Sequence, residues 1–73
     1  MSLSLITPLV DTGIKLEDVE RMMIVVCLRR HNYNQSVTAK KLGLTRYQLR
    51  YRMKVAGLPR SLEADLAMYG AAI

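Results

Sequence analysis

Four cationic side chains lie close together in the middle of this chain, at Arg46, Arg50, Arg52 and Lys54. An arginine can bind guanine through two parallel N–H groups, and arginine and lysine both attract phosphate. Residues 21–62 contain ten Lys or Arg residues and no Asp or Glu, although the whole chain carries a net charge of only +5. Such a concentration favours a polyanionic partner. The alternative, a basic surface that only contacts solvent, is less favoured because no acidic residues lie among these cations.

Two short helices joined by a tight turn are predicted to position these cations. Asn34 or Ser36 can cap the first helix, and Thr45 can cap the second. Gly43 lies between them, where the chain needs a left-handed residue, and Ala39 is small enough for close helix crossing. The apolar residues expected to form the shared core are Val37, Leu42, Leu44, Leu49 and Met53. The pattern predicts a helix-turn-helix whose second, basic helix fits a DNA major groove.

A longer helix is predicted before this motif, from Leu16 to Arg30, because acidic residues begin it and arginines end it, as the helix dipole favours. Residues 22–28 are all apolar and would point all the way round a helix. Since the two short helices can cover only one side, a second copy of the chain is predicted to cover the other. The residues assigned to this homodimer interface are Val19, Met22, Met23, Val25 and Val26. The expected fold class is all-α, a small helical bundle that dimerises through its first long helix.

The sequence divides into three parts. Residues 1–15 are predicted to be an apolar arm or linker, residues 16–58 the helix-turn-helix domain, and residues 59–73 a C-terminal extension. In the extension, Ser61 can cap a short helix with apolar residues at helical spacing, namely Leu62, Leu66 and Tyr69. That apolar stripe could dock on the motif or extend the dimer contact.

The composition of the chain argues against a catalytic site and against a metal site. The chain has one histidine, His31, and one cysteine, Cys27, with no paired carboxylates beside a nucleophile and no metal-ligand spacing. We therefore expect no enzyme, no cofactor and no metal site. A single cysteine also excludes an internal disulfide framework, which fits a reducing cytoplasm. No run approaches the roughly 18 apolar residues that a membrane span needs.

A family pattern is visible across residues 16–58. Its residues are Leu16-Glu17, Cys27-Leu28, Asn34, Ala39, Leu42-Gly43-Leu44, Thr45-Arg46, Leu49, Met53 and Gly57-Leu58. In these positions the chain resembles the Fis-type helix-turn-helix, found in the nucleoid protein Fis and as the C-terminal DNA-binding domain of NtrC-type bacterial activators. The resemblance implies a homodimer that binds double-stranded DNA at an inverted repeat, in the cytoplasm and associated with the nucleoid.

Two kinds of protein share this domain. NtrC-type activators also carry an ATPase domain, whose Gly-rich phosphate-binding loop this sequence lacks. The chain is then either the DNA-binding part of such an activator, preceded there by an ATPase or receiver domain, or a standalone Fis-like architectural protein.

The resemblance and the helix pattern together assign the DNA contacts. The residues expected at base edges are Thr45, Arg46, Tyr47 and Arg50, and those expected at phosphates are Asn34, Gln35, Ser36, Lys40, Tyr51, Arg52 and Lys54. Thr38 stands where the family has the first of two alanines, and Tyr47, Gln48 and Tyr51 depart from its usual choices, so the target sequence cannot be transferred. A protein-interaction module with an acidic protein partner is the competing class. RNA binding is less favoured, because four tyrosines without Phe or Trp make a poor stacking platform.

Overall fold

A computed structural model describes residues 3–70 of the chain, which contain helices and no strand. The elements are a 3-10 helix at Leu3–Leu5, then α1 (Thr7–Thr12), α2 (Leu16–Arg30), α3 (Gln35–Lys41), α4 (Arg46–Ala56) and α5 (Leu62–Tyr69). The predicted all-α fold class is confirmed, and α2 begins and ends at the predicted residues.

The start of each helix in the motif is fixed by side-chain capping. Asn34 Oδ1 accepts a hydrogen bond from the Val37 N–H at 3.1 Å, so Asn34 caps α3, while Ser36 lies inside that helix. Thr45 caps α4 in a reciprocal pair: its hydroxyl oxygen accepts from the Gln48 N–H at 3.0 Å, and Gln48 Oε1 accepts from the Thr45 N–H at 2.9 Å. Asn34 thus determines where α3 begins, and Thr45 determines where α4 begins. The start of α4 in turn determines which residues of α4 face outward.

The turn between α3 and α4 depends on Gly43, whose φ is +72°. Side chains are disfavoured in this left-handed region, whereas glycine adopts it freely. The turn is closed by a 2.8 Å hydrogen bond from the Leu44 N–H to the Ala39 carbonyl oxygen. The turn brings α4 into contact with α3, as in a helix-turn-helix.

A small core joins α2, α3 and α4. Its buried apolar residues are Ile24, Leu28, Ala39, Leu49, Met53 and Leu58. Leu42 and Leu44 are half-buried against this core, as predicted. The prediction that Val37 belongs to the core is wrong, since its side chain is 39% exposed. Thr38 and Ala39 are the buried residues of α3, and Val37 lies about 100° round the helix from Thr38.

The N-terminal arm contains regular structure that its sequence pattern did not predict. Pro8 falls in the first turn of α1, where a missing N–H costs nothing, and Gly13 ends the helix with φ +78°. Neither the 3-10 helix nor α1 has a buried residue. Within the described part of this arm, Leu3, Leu5 and Val10 are therefore largely exposed on the single chain, and Leu9 is half-buried.

Helix α5 docks on the end of α2 through an acidic side chain. Asp65 is 1% exposed and accepts hydrogen bonds from Arg29 Nε at 2.8 Å, from Arg29 Nη2 at 2.5 Å, and from the Tyr33 hydroxyl. We call Asp65, Arg29 and Tyr33 the Asp65 cluster. Of the expected apolar stripe, Leu62 and Leu66 stay about half exposed (48% and 49%), whereas the Arg29 guanidinium carbon lies 5.6 Å from the centre of the Tyr69 ring.

The Asp65 cluster shifts the titration of its members. Hydrogen bonds from Arg29 hold the pKa of Asp65 below its ordinary value, against the opposing effect of burial. The same pairing raises the pKa of Arg29. Burial, followed by the hydrogen bond to Asp65, raises the pKa of the Tyr33 phenol. Asp65 is therefore ionised and Tyr33 neutral at pH 7, so the Tyr33 hydroxyl can donate its hydrogen bond to a charged carboxylate.

Candidate nucleic-acid interface

Helix α4 has one buried face and one basic face. Leu49 and Met53 are buried in the core. Arg46, Arg50 and Lys54 recur at intervals of four residues and are all exposed, so they follow one side of the helix. Between them, Tyr47 and Tyr51 point outward with exposed fractions of 78% and 60%. The outward face therefore combines cationic and aromatic groups that can contact phosphates and base edges.

This face forms one wall of a concave surface that we call the basic groove. The residues that line it are Gln35, Arg46, Tyr47, Arg50, Tyr51, Met53, Lys54 and Arg60. They come from the first turn of α3, the length of α4 and the segment that follows α4. No carboxylate lines the groove among the residues that the structure describes. Four cations without an acidic neighbour repel one another, and a polyanion in the groove would relieve that repulsion.

The structure brings most of the predicted base contacts together. Arg46, Tyr47 and Arg50 all line the basic groove. Thr45 caps α4 at the same end and is exposed. Because recognition helices contact base edges with their N-terminal residues, this grouping suits the predicted role.

The predicted phosphate contacts are divided between two places. Three of them, Gln35, Tyr51 and Lys54, line the basic groove. Three others are exposed on or just before α3 without lining it, namely Asn34, Ser36 and Lys40. The side-chain oxygen of Asn34 is already engaged as the helix cap, although its amide N–H groups are left to donate.

Arg52 lies apart from the other predicted phosphate contacts. It faces α2, where Arg52 Nη1 is 3.4 Å from Glu20 Oε2, and both side chains are about half exposed. Such an exposed pair is weak, so it does not fix Arg52 in place. The structure nevertheless does not bring Arg52 into the basic groove, and its phosphate contact stays a prediction.

Arg60 is a groove residue that sequence reasoning missed. It follows Leu58 and Pro59, both buried, and its side chain lines the basic groove beside α4. The signal in the sequence is the position of Arg60 directly after the apolar pair Leu58-Pro59, because a buried pair brings the chain back to the core. The sequence prediction places residues 59–73 in a C-terminal extension and assigns Arg60 no DNA contact.

Helix α2 carries an apolar stripe on the side opposite its core residues, Ile24 and Leu28. Its members are Val19, Met22, Met23 and Val26, spaced at i, i+3, i+4 and i+7 as on one helix face. Met22, Met23 and Val26 are 49%, 57% and 50% exposed, and Val19 is half-buried. Val25, also assigned to the dimer interface, packs partly against the core of its own chain.

The described part of the chain offers neither a membrane-spanning helix nor a cluster of metal ligands. No helix within residues 3–70 is long and apolar enough to cross a membrane. Within the same residues, no group of three or more His, Cys, Asp or Glu side chains is placed to hold a metal ion.

Comparisons with known proteins point to one family. The sequence model described as bacterial regulatory protein, Fis family, matches residues 15–54. The response regulator protein PilR of Pseudomonas aeruginosa is 42% identical over 43 residues, which are 59% of this chain and 10% of PilR. The transcriptional activator RocR of Bacillus subtilis is 40% identical over 47 residues, which are 64% of this chain and 10% of RocR. The match thus spans about a tenth of the length of each of these relatives. No solved structure matches the chain significantly.

Proposed function

Because this chain belongs to the Fis family of bacterial regulatory proteins, we propose that it binds double-stranded DNA in transcription regulation, with α4 in the major groove. The observation that carries this proposal is the basic groove, in which Arg46, Arg50 and Lys54 share one exposed side of a capped helix. A helix of this size fits the width of the major groove, and its cations neutralise the flanking phosphates.

The base contacts and the phosphate contacts come from different parts of the motif in this proposal. Thr45, Arg46, Tyr47 and Arg50, at the N-terminal end of α4, contact base edges, and an arginine paired with guanine contributes about 1–3 kcal/mol of discrimination. The phosphate contacts fix the register of the helix on the duplex; they are Asn34, Gln35, Ser36, Lys40, Tyr51, Arg52 and Lys54.

We also propose that the chain acts as a homodimer paired through the apolar stripe of α2. The stripe leaves Met22, Met23 and Val26 about half exposed on a chain whose core is small. Burying these side chains against a second copy would remove apolar surface from water on both chains. A two-fold dimer places two copies of α4 in successive major grooves, which matches an inverted-repeat site.

The relatives suggest the setting of this domain. One is named a response regulator and the other a transcriptional activator, and each is about ten times as long as the part that matches. We propose that the chain is the DNA-binding part of such a regulator, in which an ATPase or receiver domain precedes it. We propose the bacterial cytoplasm as its location, in association with the nucleoid.

Selection from random duplex DNA at near-physiological salt, followed by sequencing of the bound pool, tests the proposal. An enriched inverted repeat would support a dimer that reads sequence, and the spacing of the repeat would give the separation of the two α4 helices. Salt-sensitive binding without enrichment would instead favour an architectural, Fis-like role. No binding would favour an acidic protein as the partner of the basic groove.

A further inference from the structure

The basic groove contains one cation that lies outside the matched family region. Arg60 comes after α4 and after residue 54, where the family match ends. We propose that Arg60 is an additional DNA-phosphate contact and that the docked helix α5 holds it in the groove. This inference rests on the proposed DNA-binding function and extends the interface into the C-terminal segment.

The position of Arg60 favours a phosphate over a base edge. Arg60 follows the C-terminal end of α4, whereas recognition helices read bases with their N-terminal residues. Gln35 lines the groove from the first turn of α3, and Lys54 lines it from the last turn of α4. The three side chains therefore line one groove from three different segments of the chain. An arginine suits this role because its planar fork can bind a phosphate through two hydrogen bonds.

Arg60 is held from both sides along the chain. Before it, Leu58 and Pro59 are buried, and the Leu58 N–H donates to the Met53 carbonyl oxygen at 2.9 Å. After it, Ser61 caps α5, its hydroxyl oxygen accepting from the Ala64 N–H at 3.1 Å.

The second support comes from the Asp65 cluster. Asp65 lies in the first turn of α5 and is bound by Arg29 and Tyr33, so this end of α5 is fixed to the end of α2. Asp65 itself does not line the groove. It is therefore a positioning residue that acts on DNA binding through Arg60.

The salt dependence of binding tests the contact at Arg60. The probes are the duplex recovered by selection and a scrambled duplex of equal length. We expect Arg60→Ala to weaken binding to both roughly fivefold to tenfold at 0.1 M salt, and to lower the slope of log affinity against log salt by about 0.9, the value for one phosphate contact. Arg60→Lys keeps the charge, so its slope of log affinity against log salt should be close to that of the unaltered chain. Arg30→Ala removes the same charge from an exposed position outside the groove and should leave the slope unchanged.

The role of α5 is tested by a double-mutant cycle. We expect Asp65→Asn to lower the salt slope in the unaltered background and to have little further effect in the Arg60→Ala background. Tyr33→Phe removes one of the hydrogen bonds to Asp65 and keeps the Arg29 pair, so it should act in the same direction more weakly. It also provides a measurement if Asp65→Asn does not fold, which circular dichroism would reveal.

The outcomes separate this inference from the proposed function. If the unaltered chain binds its duplex and Arg60→Ala has the same slope as Arg30→Ala, the phosphate contact is overturned while DNA binding stands. If Tyr33→Phe and any folded Asp65→Asn leave the slope unchanged, α5 does not position Arg60. If the unaltered chain binds no duplex, both proposals fail together.

Discussion

Arg50 provides the sharpest test of how α4 reads DNA. It lies in the N-terminal half of α4 and lines the basic groove. Arg50→Ala should weaken specific binding by about 1–3 kcal/mol, the range for a bidentate contact with guanine. Arg50→Lys keeps the charge and loses the planar fork, so it should bind scrambled DNA nearly as well as the unaltered chain while losing preference at one base pair. Competition binding to single-base variants of the selected site measures both effects. Unchanged affinity and preference in Arg50→Ala would show that Arg50 does not read a base.

Thr38 is a buried residue whose replacement should stabilise the fold. Its side chain is 0% exposed, and within residues 3–70 its hydroxyl oxygen has no hydrogen-bond partner. Burying an unpaired hydroxyl costs about 1–3 kcal/mol. Thr38→Val keeps the shape and removes that cost, so we expect the free energy of unfolding to rise by about 1 kcal/mol, which is about 4–8 °C in Tm for a domain of this size.

A matched variant separates the hydroxyl from the packing of Thr38. Thr38→Ser keeps the hydroxyl and removes the buried methyl group, so it should lower the free energy of unfolding. Thermal and urea unfolding of the three proteins gives the comparison. A loss of stability in Thr38→Val would mean that the hydroxyl is satisfied, for example by ordered water.

Helix α5 should respond to acid through Asp65. The pKa of Asp65 is lower in the folded chain than its ordinary value of 3.8, because Arg29 donates hydrogen bonds to the carboxylate. The resulting stability is present above the unfolded pKa and is lost as the pH falls through the folded pKa. We therefore expect the contribution of Asp65 to the free energy of unfolding to be constant near neutral pH, to fall once the pH drops below its ordinary pKa of 3.8, and to be absent in Asp65→Asn.

Glu63→Gln is the control for this pH dependence, because Glu63 is an exposed carboxylate on the same helix. It should retain the acid sensitivity of the unaltered chain. Urea unfolding followed by circular dichroism at each pH measures the effect. Equal pH profiles in Asp65→Asn and the unaltered chain would show that the Asp65 cluster does not stabilise the docked helix.

The helix starts could be predicted because capping is a local property. Asn34, Thr45 and Ser61 each accept a hydrogen bond from an N–H three residues later, so their role depends only on neighbouring residues. The turn at Gly43 could also be predicted, because few residues other than glycine adopt its backbone conformation. The basic side of α4 followed from the spacing of its cations once the start of that helix was known.

The residues that were predicted wrongly or missed depend on long-range packing. Val37 looks like a core residue in the sequence, but the face of α3 that packs is selected by its crossing with α4. The pairing of Asp65 with Arg29 joins residues 36 positions apart, and no local pattern links them. Arg60 lies in the basic groove because the chain after α4 turns back on the core. The sequence pattern of each separate helix does not predict that turn.

Homodimerisation through the apolar stripe of α2 can be tested by a substitution at one exposed residue of that stripe. The apolar stripe of α2 is about half exposed at Val26, which faces away from the core residues Ile24 and Leu28. Val26→Asp would place two carboxylates at a two-fold interface, and such like-charge contacts cost several kcal/mol. We expect sedimentation to show a monomer, binding to a duplex with two half-sites to weaken about tenfold or more, and binding to a single half-site to change little.

Met68→Asp is the matched control for the dimer, because Met68 is also half exposed but lies on α5 (54%). It should remain a dimer and bind both duplexes as the unaltered chain does. If Met68→Asp dissociates the dimer and Val26→Asp does not, the interface lies on the C-terminal segment instead of α2. A dimer that survives both changes would place the contact elsewhere, with the exposed N-terminal arm as the next surface to alter, since none of its helical residues is buried in the single chain.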